Sequence, residues 1–156
     1  MTEGIQQVFN GELTRVDTTK KETLGVVRMD KTGKVYKYVK YSKGGDSVAA
    51  VANKMVEYHG DDGMDDFEVT MDFSSGDGIA AGMLLAVIAD AGFGWIQTKG
   101  PVTLAAALTD GADADSFTTS GAADGTLKLA VAAETDYICG VAIDQTAKKI
   151  LLDCPW

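Results

Sequence analysis

Along most of this chain apolar residues come in short bursts between turn residues, too short for helices and about the right length for strands. The run Val35-Tyr36-Lys37-Tyr38-Val39-Lys40-Tyr41 is β-branched and aromatic, lies between Gly33 and Gly44-Gly45, and predicts a strand. Its lysines, with Lys34 and Lys43 at the ends, mark an exposed face or a protected edge. Further strands are expected over 67–73, 82–89, 94–98, 102–104, 127–130, 137–143 and 149–153. Many short strands between Gly and Asp turns point to a mainly β fold, a small β-barrel or β-sandwich.

Two stretches carry helical signals. Asp46 or Ser47 can cap a short helix on which Val48, Val51, Ala52, Met55 and Val56 recur at helical spacing, although Met55 to Tyr58 fit a strand equally well. The alanines of Leu104-Ala105-Ala106-Ala107-Leu108 favour a helical turn over a strand. Asp61 to Asp66 reads as a loop. Residues 1–32 are polar and read as an N-terminal arm or peripheral hairpin, leaving 33–156 as the β-rich domain.

The C-terminal pattern is more specific. Tyr137, Cys139, Val141 and Ile143 alternate, Asp144-Gln145-Thr146-Ala147 supplies a turn, and Ile150 and Leu152 return on the same face. A hairpin centred between Gln145 and Thr146 pairs Cys139 with Leu152 and puts Cys154 diagonally from Cys139. The two cysteines fit no zinc or redox spacing and are expected as buried thiols, near enough for oxidation to be conceivable.

Charge changes the picture of partners. Net charge is −9 over 156 residues. Residues 1–60 carry ten Lys/Arg against seven Asp/Glu, whereas 61–156 carry four Lys against sixteen Asp/Glu. An acidic surface repels nucleic acid and anionic lipid, so neither is expected as a partner. No apolar run is long enough to span a membrane, and the start of the chain lacks the pattern of a secretory signal.

Candidate chemistry is sparse. Gly76-Asp77-Gly78-Ile79-Ala80-Ala81 superficially matches a dinucleotide-binding loop. Asp77 would place a negative charge among the phosphates, and Gly100-Pro101 stands where an acidic ribose ligand belongs, so a plain turn is expected. Asp61, Asp62, Asp65 and Asp66, and likewise Asp110, Asp113 and Asp115, could offer oxygens to a cation but lack EF-hand spacing, and read as solvated loops. His59 is the single histidine, with no nucleophile motif around it, and is expected to end an element. These residues imply no catalytic site, cofactor or metal.

The segment 92–104, Gly-Phe-Gly-Trp-Ile-Gln-Thr-Lys-Gly-Pro-Val-Thr-Leu, resembles a recurring stretch in structural proteins of tailed phages, where an aromatic residue precedes W-I-Q and K-G-P follows. Residues 107–113, 121–127, 137–144 and 153–156 look like the same family's turns and C-terminus, so the resemblance covers about 33–156. It implies a capsid decoration (cement) protein: a non-enzymatic virion component, made in the host cytoplasm and located on the capsid surface. Its expected partners are the major capsid protein and copies of itself, as a homotrimer. Lys20, Lys21, Lys34, Lys37 and Lys40 are the candidate contacts to an acidic shell, and the C-terminal Trp156 is expected to dock on its own core or on a neighbouring subunit. Trp95 fits either core packing or an interface anchor. Other readings are a head–tail or fibre-base protein, or an acidic metal- or glycan-binding β module.

Overall fold

The computed structural model describes residues 12–60, 63–131 and 137–154. It is mainly β, 44% strand and 2% helix, as the apolar pattern leads one to expect. The strands are β1 (Val27–Met29), β2 (Val35–Ser42), β3 (Met55–His59), β4 (Glu68–Thr70), β5 (Gly76–Leu84), β6 (Phe93–Thr103), β7 (Leu108–Thr109), β8 (Ser116–Thr118), β9 (Leu127–Leu129), β10 (Ile138–Asp144) and β11 (Lys149–Asp153), with one helical turn, α1 (Gly63–Asp66).

Five strands close a barrel in the order β2-β4-β3-β5-β6, sealed by β6 pairing back onto β2. The β2–β4 pair is parallel and the other four pairs are antiparallel. Strand β6 outruns the barrel: its first half pairs with β2 and its second half, from Lys99 to Thr103, with β11. From there the ladder runs on through β11, β10, β8, β9 and β7, which form a second sheet continuous with the barrel. The 94–98 and 102–104 strands expected separately are thus one strand, and Gly100, at φ 96°, carries the chain through the joint.

Each unit has its own apolar centre. Val39, Tyr41, Val56, Tyr58, Val69, Leu84 and Ile96 fill the barrel. Val102, Phe117, Leu127, Cys139, Ile150, Leu152 and Cys154 fill the second unit, whose cluster also takes in Met55, Ala80 and Met83 from the barrel strands β3 and β5. The two cores are therefore welded rather than tethered.

Several local expectations are corrected. No helix forms over 46–56: Ser47 and Asn53 sit in the left-handed region, at φ 59° and 61°, and the loop is tied by Tyr41 Oη to the Val48 carbonyl and by Asn53 N–H to the Leu84 carbonyl. The strand alternative holds for residues 55–59. The turn of helix occurs instead at Gly63–Asp66, within the acidic run expected as a loop. The alanine run is a bend, not a helical turn, because Leu104 N–H and Ala105 N–H bond to the Lys148 and Asn53 carbonyls. Residues 76–81 belong to strand β5 rather than a turn, and strand glycines cannot form the helix-opening phosphate loop.

The C-terminal hairpin forms, one residue out of the expected register. Gly140 faces Leu152 and Val141 faces Leu151, with a bulge between Ala142 and Asp144. Cys139, Ala142, Ile150 and Leu152 point inward, and Val141 and Ile143 outward.

Candidate functional site

The aromatic residues of β2 and β6 that face away from the barrel are covered by the chain's own N-terminal portion. Leu13, Leu24 and Val26 pack over Tyr36, Tyr38 and Trp95. Asp17 exchanges both backbone hydrogen bonds with Phe93, at 2.9 and 2.8 Å, and its carboxylate accepts from Tyr38 Oη at 2.9 Å. Arg28 lies 4.4 Å from the Trp95 ring centroid and donates twice to Glu22, at 2.6 and 2.7 Å. Trp95 is 3% exposed, so it is core under this cover and not an interface anchor on the protein's surface. Trp156 lies outside the described residues.

The lysines expected on one basic surface differ in exposure. Lys20 and Lys21 are exposed, Lys34 is half-buried, and Lys40 is half-buried in an ion pair with Glu68, which also holds His59 Nδ1 at 3.2 Å. Lys37 is corrected outright: it is 2% exposed and points into the barrel, where Nζ donates to Tyr58 Oη at 2.7 Å and lies 5.4 and 5.7 Å from the Tyr58 and Phe67 ring centroids. Burial lowers its pKa to about 8 and pushes the Tyr58 phenol up. The strand expected over 35–41 forms, but β2 is paired on both sides, so its lysines do not guard an edge.

Glu57 is the ionisable residue that sequence reasoning passed over. It is 1% exposed and lines a cleft of about 520 Å³ between β5 and the 119–124 turn, with Phe73, Ser74, Asp77, Ser120 and Asp124. Burial raises its pKa, the Gly78 N–H opposes that, and Asp77 and Asp124 add to it. Its only signal in sequence was a carboxylate inside the apolar run Met55-Val56-Glu57-Tyr58. Among the described residues no three His, Cys, Asp or Glu side chains are grouped to hold a metal ion. Two of the 110–115 carboxylates are backbone acceptors: Asp113 takes the Gln145 N–H and Asp115 the Ala112 N–H, both at 2.8 Å.

The cysteines are both free thiols in the second core. Cys139 Sγ donates to the Phe117 carbonyl at 3.4 Å and Cys154 Sγ to the Cys139 carbonyl at 3.8 Å. The contact with Cys139 and then burial push the Cys154 thiol up, away from reactivity.

A group of solvent-facing apolar side chains lies on the outer side of the second sheet. Strand register places Val141 of β10, Leu151 of β11 and Pro101 of β6 in one cross-strand row. Val141 is 38% exposed, Leu151 48% and the neighbouring Ile143 50%, with Ile138 exposed at the other end of β10. Large apolar side chains grouped in this way, rimmed by charge, mark interaction surfaces more often than catalytic ones. The bulge in β10 creates this surface by turning outward two residues whose spacing suggested the core.

The chain matches no protein-family model, and no curated protein or solved structure matches it. No described helix is long and apolar enough to cross a membrane.

Proposed function

We propose that this protein is a structural component of a tailed-phage particle that binds the outer surface of the capsid and stabilises it. The observation that carries the reading is where the phage-like stretches fall. Segment 92–104 is β6, the strand common to both units; 137–144 is β10, and 153–156 begins at the end of β11. These strands are neighbours in one sheet, and that adjacency supports the reading. A cement protein acts by burying surface across joints of the shell, which favours the assembled state by mass action, and repeated weak contacts suffice. Lys20 and Lys21 remain the best candidates for an electrostatic contact with an acidic shell.

Truncation of residues 1–32 would uncover Tyr36, Tyr38 and Trp95, so point changes are the cleaner probe. The double variant Lys20→Glu/Lys21→Glu is expected to lower occupancy on purified particles several-fold while leaving the thermal midpoint unchanged. Quantitative mass spectrometry of particles should find copies on the order of the shell protein's number, as closed symmetric assemblies require. A handful of copies per particle would assign the chain to the head–tail junction or a fibre base, and none would remove it from the virion.

A further inference from the structure

The outer face of the second sheet has a charge pattern that complements itself. Three residues of β11 point to solvent: Lys149, Leu151 and Asp153. Positive, apolar and negative thus follow one another along one strand, with Leu151 at the centre. A two-fold axis passing beside Leu151, in the plane of the face and perpendicular to the strands, would lay a second copy over the first with its strands reversed. Lys149 of each copy then faces Asp153 of the other. The same operation sets Leu151 on Leu151, Val141 on Val141 and Pro101 on Pro101, because these three share a row, and brings Ile143 toward Ile138.

The surroundings fit that arrangement. Around Lys149 lies a shallow depression of about 320 Å³, lined also by Lys34, Pro101, Val102, Thr103 and Ile143. Two lysines make it cationic, and it lies where the opposing Asp153 would enter. The Asp153 side chain is 76% exposed although it pairs with Lys99 at 2.8 Å, so it can reach a second cation without leaving the first. A parallel stacking of the same faces would instead oppose Lys149 to Lys149 and Asp153 to Asp153, which costs free energy.

We propose that this chain pairs with a second copy of itself face to face through β6, β11 and β10, in an antiparallel two-fold contact centred on Leu151. Such a contact is isologous, the self-complementary kind that closes as a dimer. It differs from the trimer that the phage resemblance implies, and it does not depend on the capsid reading. Sheets packed in this way lie about 10 Å apart, with strands within about 30° of alignment. The face offers only a few large apolar side chains, so a weak, concentration-dependent dimer is expected.

Sedimentation velocity of the full chain across a broad concentration range should show monomer passing to dimer. Lys149→Asp alone sets a carboxylate against the opposing Asp153 at both symmetric contacts and should weaken the dimer about tenfold or more, as should Asp153→Lys alone, which sets lysine against lysine. The double reversal Lys149→Asp/Asp153→Lys restores the alternating pattern and should recover dimerisation, which an unrelated loss of fold would not. In Leu151→Cys, a short bis-maleimide should link two chains through position 151, the native cysteines being buried. A chain monomeric at every concentration, or a double reversal that fails to recover, would overturn the proposal. So would Leu151→Cys copies that do not link although the protein dimerises. A face silent in free protein but protected on a viral particle would assign it to the shell and equally overturn self-pairing.

Discussion

At the scale of single residues, two aspartates hold the loops that frame the barrel. Burial alone would raise the Asp72 carboxyl, but hydrogen bonds from Ser74 Oγ and N–H, Asp46 N–H and Ser75 Oγ outweigh it and hold the pKa at about 2. Asp30 is held at about 2 by Thr32 Oγ1 first, against burial, and then by Thr32 N–H, Lys34 N–H and Tyr36 Oη. Both pKa values are depressed on folding. Their contribution is therefore complete above the ordinary carboxylate pKa near 3.8 and is lost as pH falls toward 2. Asp72→Asn should lower stability by about 2 kcal/mol at neutral pH, and the deficit should shrink in urea titrations as pH drops through that window. An unchanged deficit down to pH 2 would contradict the assignment. Lys37 runs the other way. Its folded pKa of about 8 lies below the ordinary 10.5, so between these values the unfolded chain binds more protons and stability rises with pH. Measured against Lys37→Met, the native protein should gain stability from pH 8 to pH 10; parallel curves would show that Lys37 is not buried with its charge.

At the scale of elements, close backbone approach decides which strands can pair. Gly82 lies at φ 154°, and a Cβ there would stand 2.5 Å from the Gln97 carbonyl oxygen on β6. Gly82→Ala should therefore cost about 2 kcal/mol or more in denaturant unfolding, through β5–β6 separation rather than lost apolar contact. Most strands were legible because alternation and turn residues act locally: β11 spans the expected 149–153, and β9 and β10 differ from expectation by a residue or so. The hairpin faces were not legible. Period-two reasoning assumes an unbroken ladder, and the bulge after Ala142 turns Val141 and Ile143 to solvent and leaves Gly140 opposite Leu152. A Cβ on Gly140 would lie 2.6 Å from the Leu151 carbonyl oxygen, which is why a glycine stands there. The 46–56 segment misled for a related reason: helical spacing was present, but hydrogen bonds to β2 and β5 claimed its backbone instead.

At the scale of the whole molecule, the two apolar centres share strand β6, and barrel residues Met55, Ala80 and Met83 sit in the second cluster. Neither unit can open without exposing part of the other's core. Calorimetry should show one endotherm, with calorimetric and van't Hoff enthalpies agreeing. Two separated transitions would mean that the weld along β6 is weaker than its packing implies. The sequence by itself determined the class of fold and most strand positions, because alternation, glycine turns and β-branched runs act over a few neighbouring residues. It also carried the division between a basic first part and an acidic remainder. Only the tertiary structure decided which β2 lysine is buried, that Glu57 lines a cleft, that Trp95 lies beneath residues 12–26, and that Val141, Leu151 and Pro101 form one outward row. Each of these depends on which distant strand lies alongside and on where a ladder gains an extra residue. Pairing of that kind is settled by the free energy of the assembled core, not by any local stretch of chain.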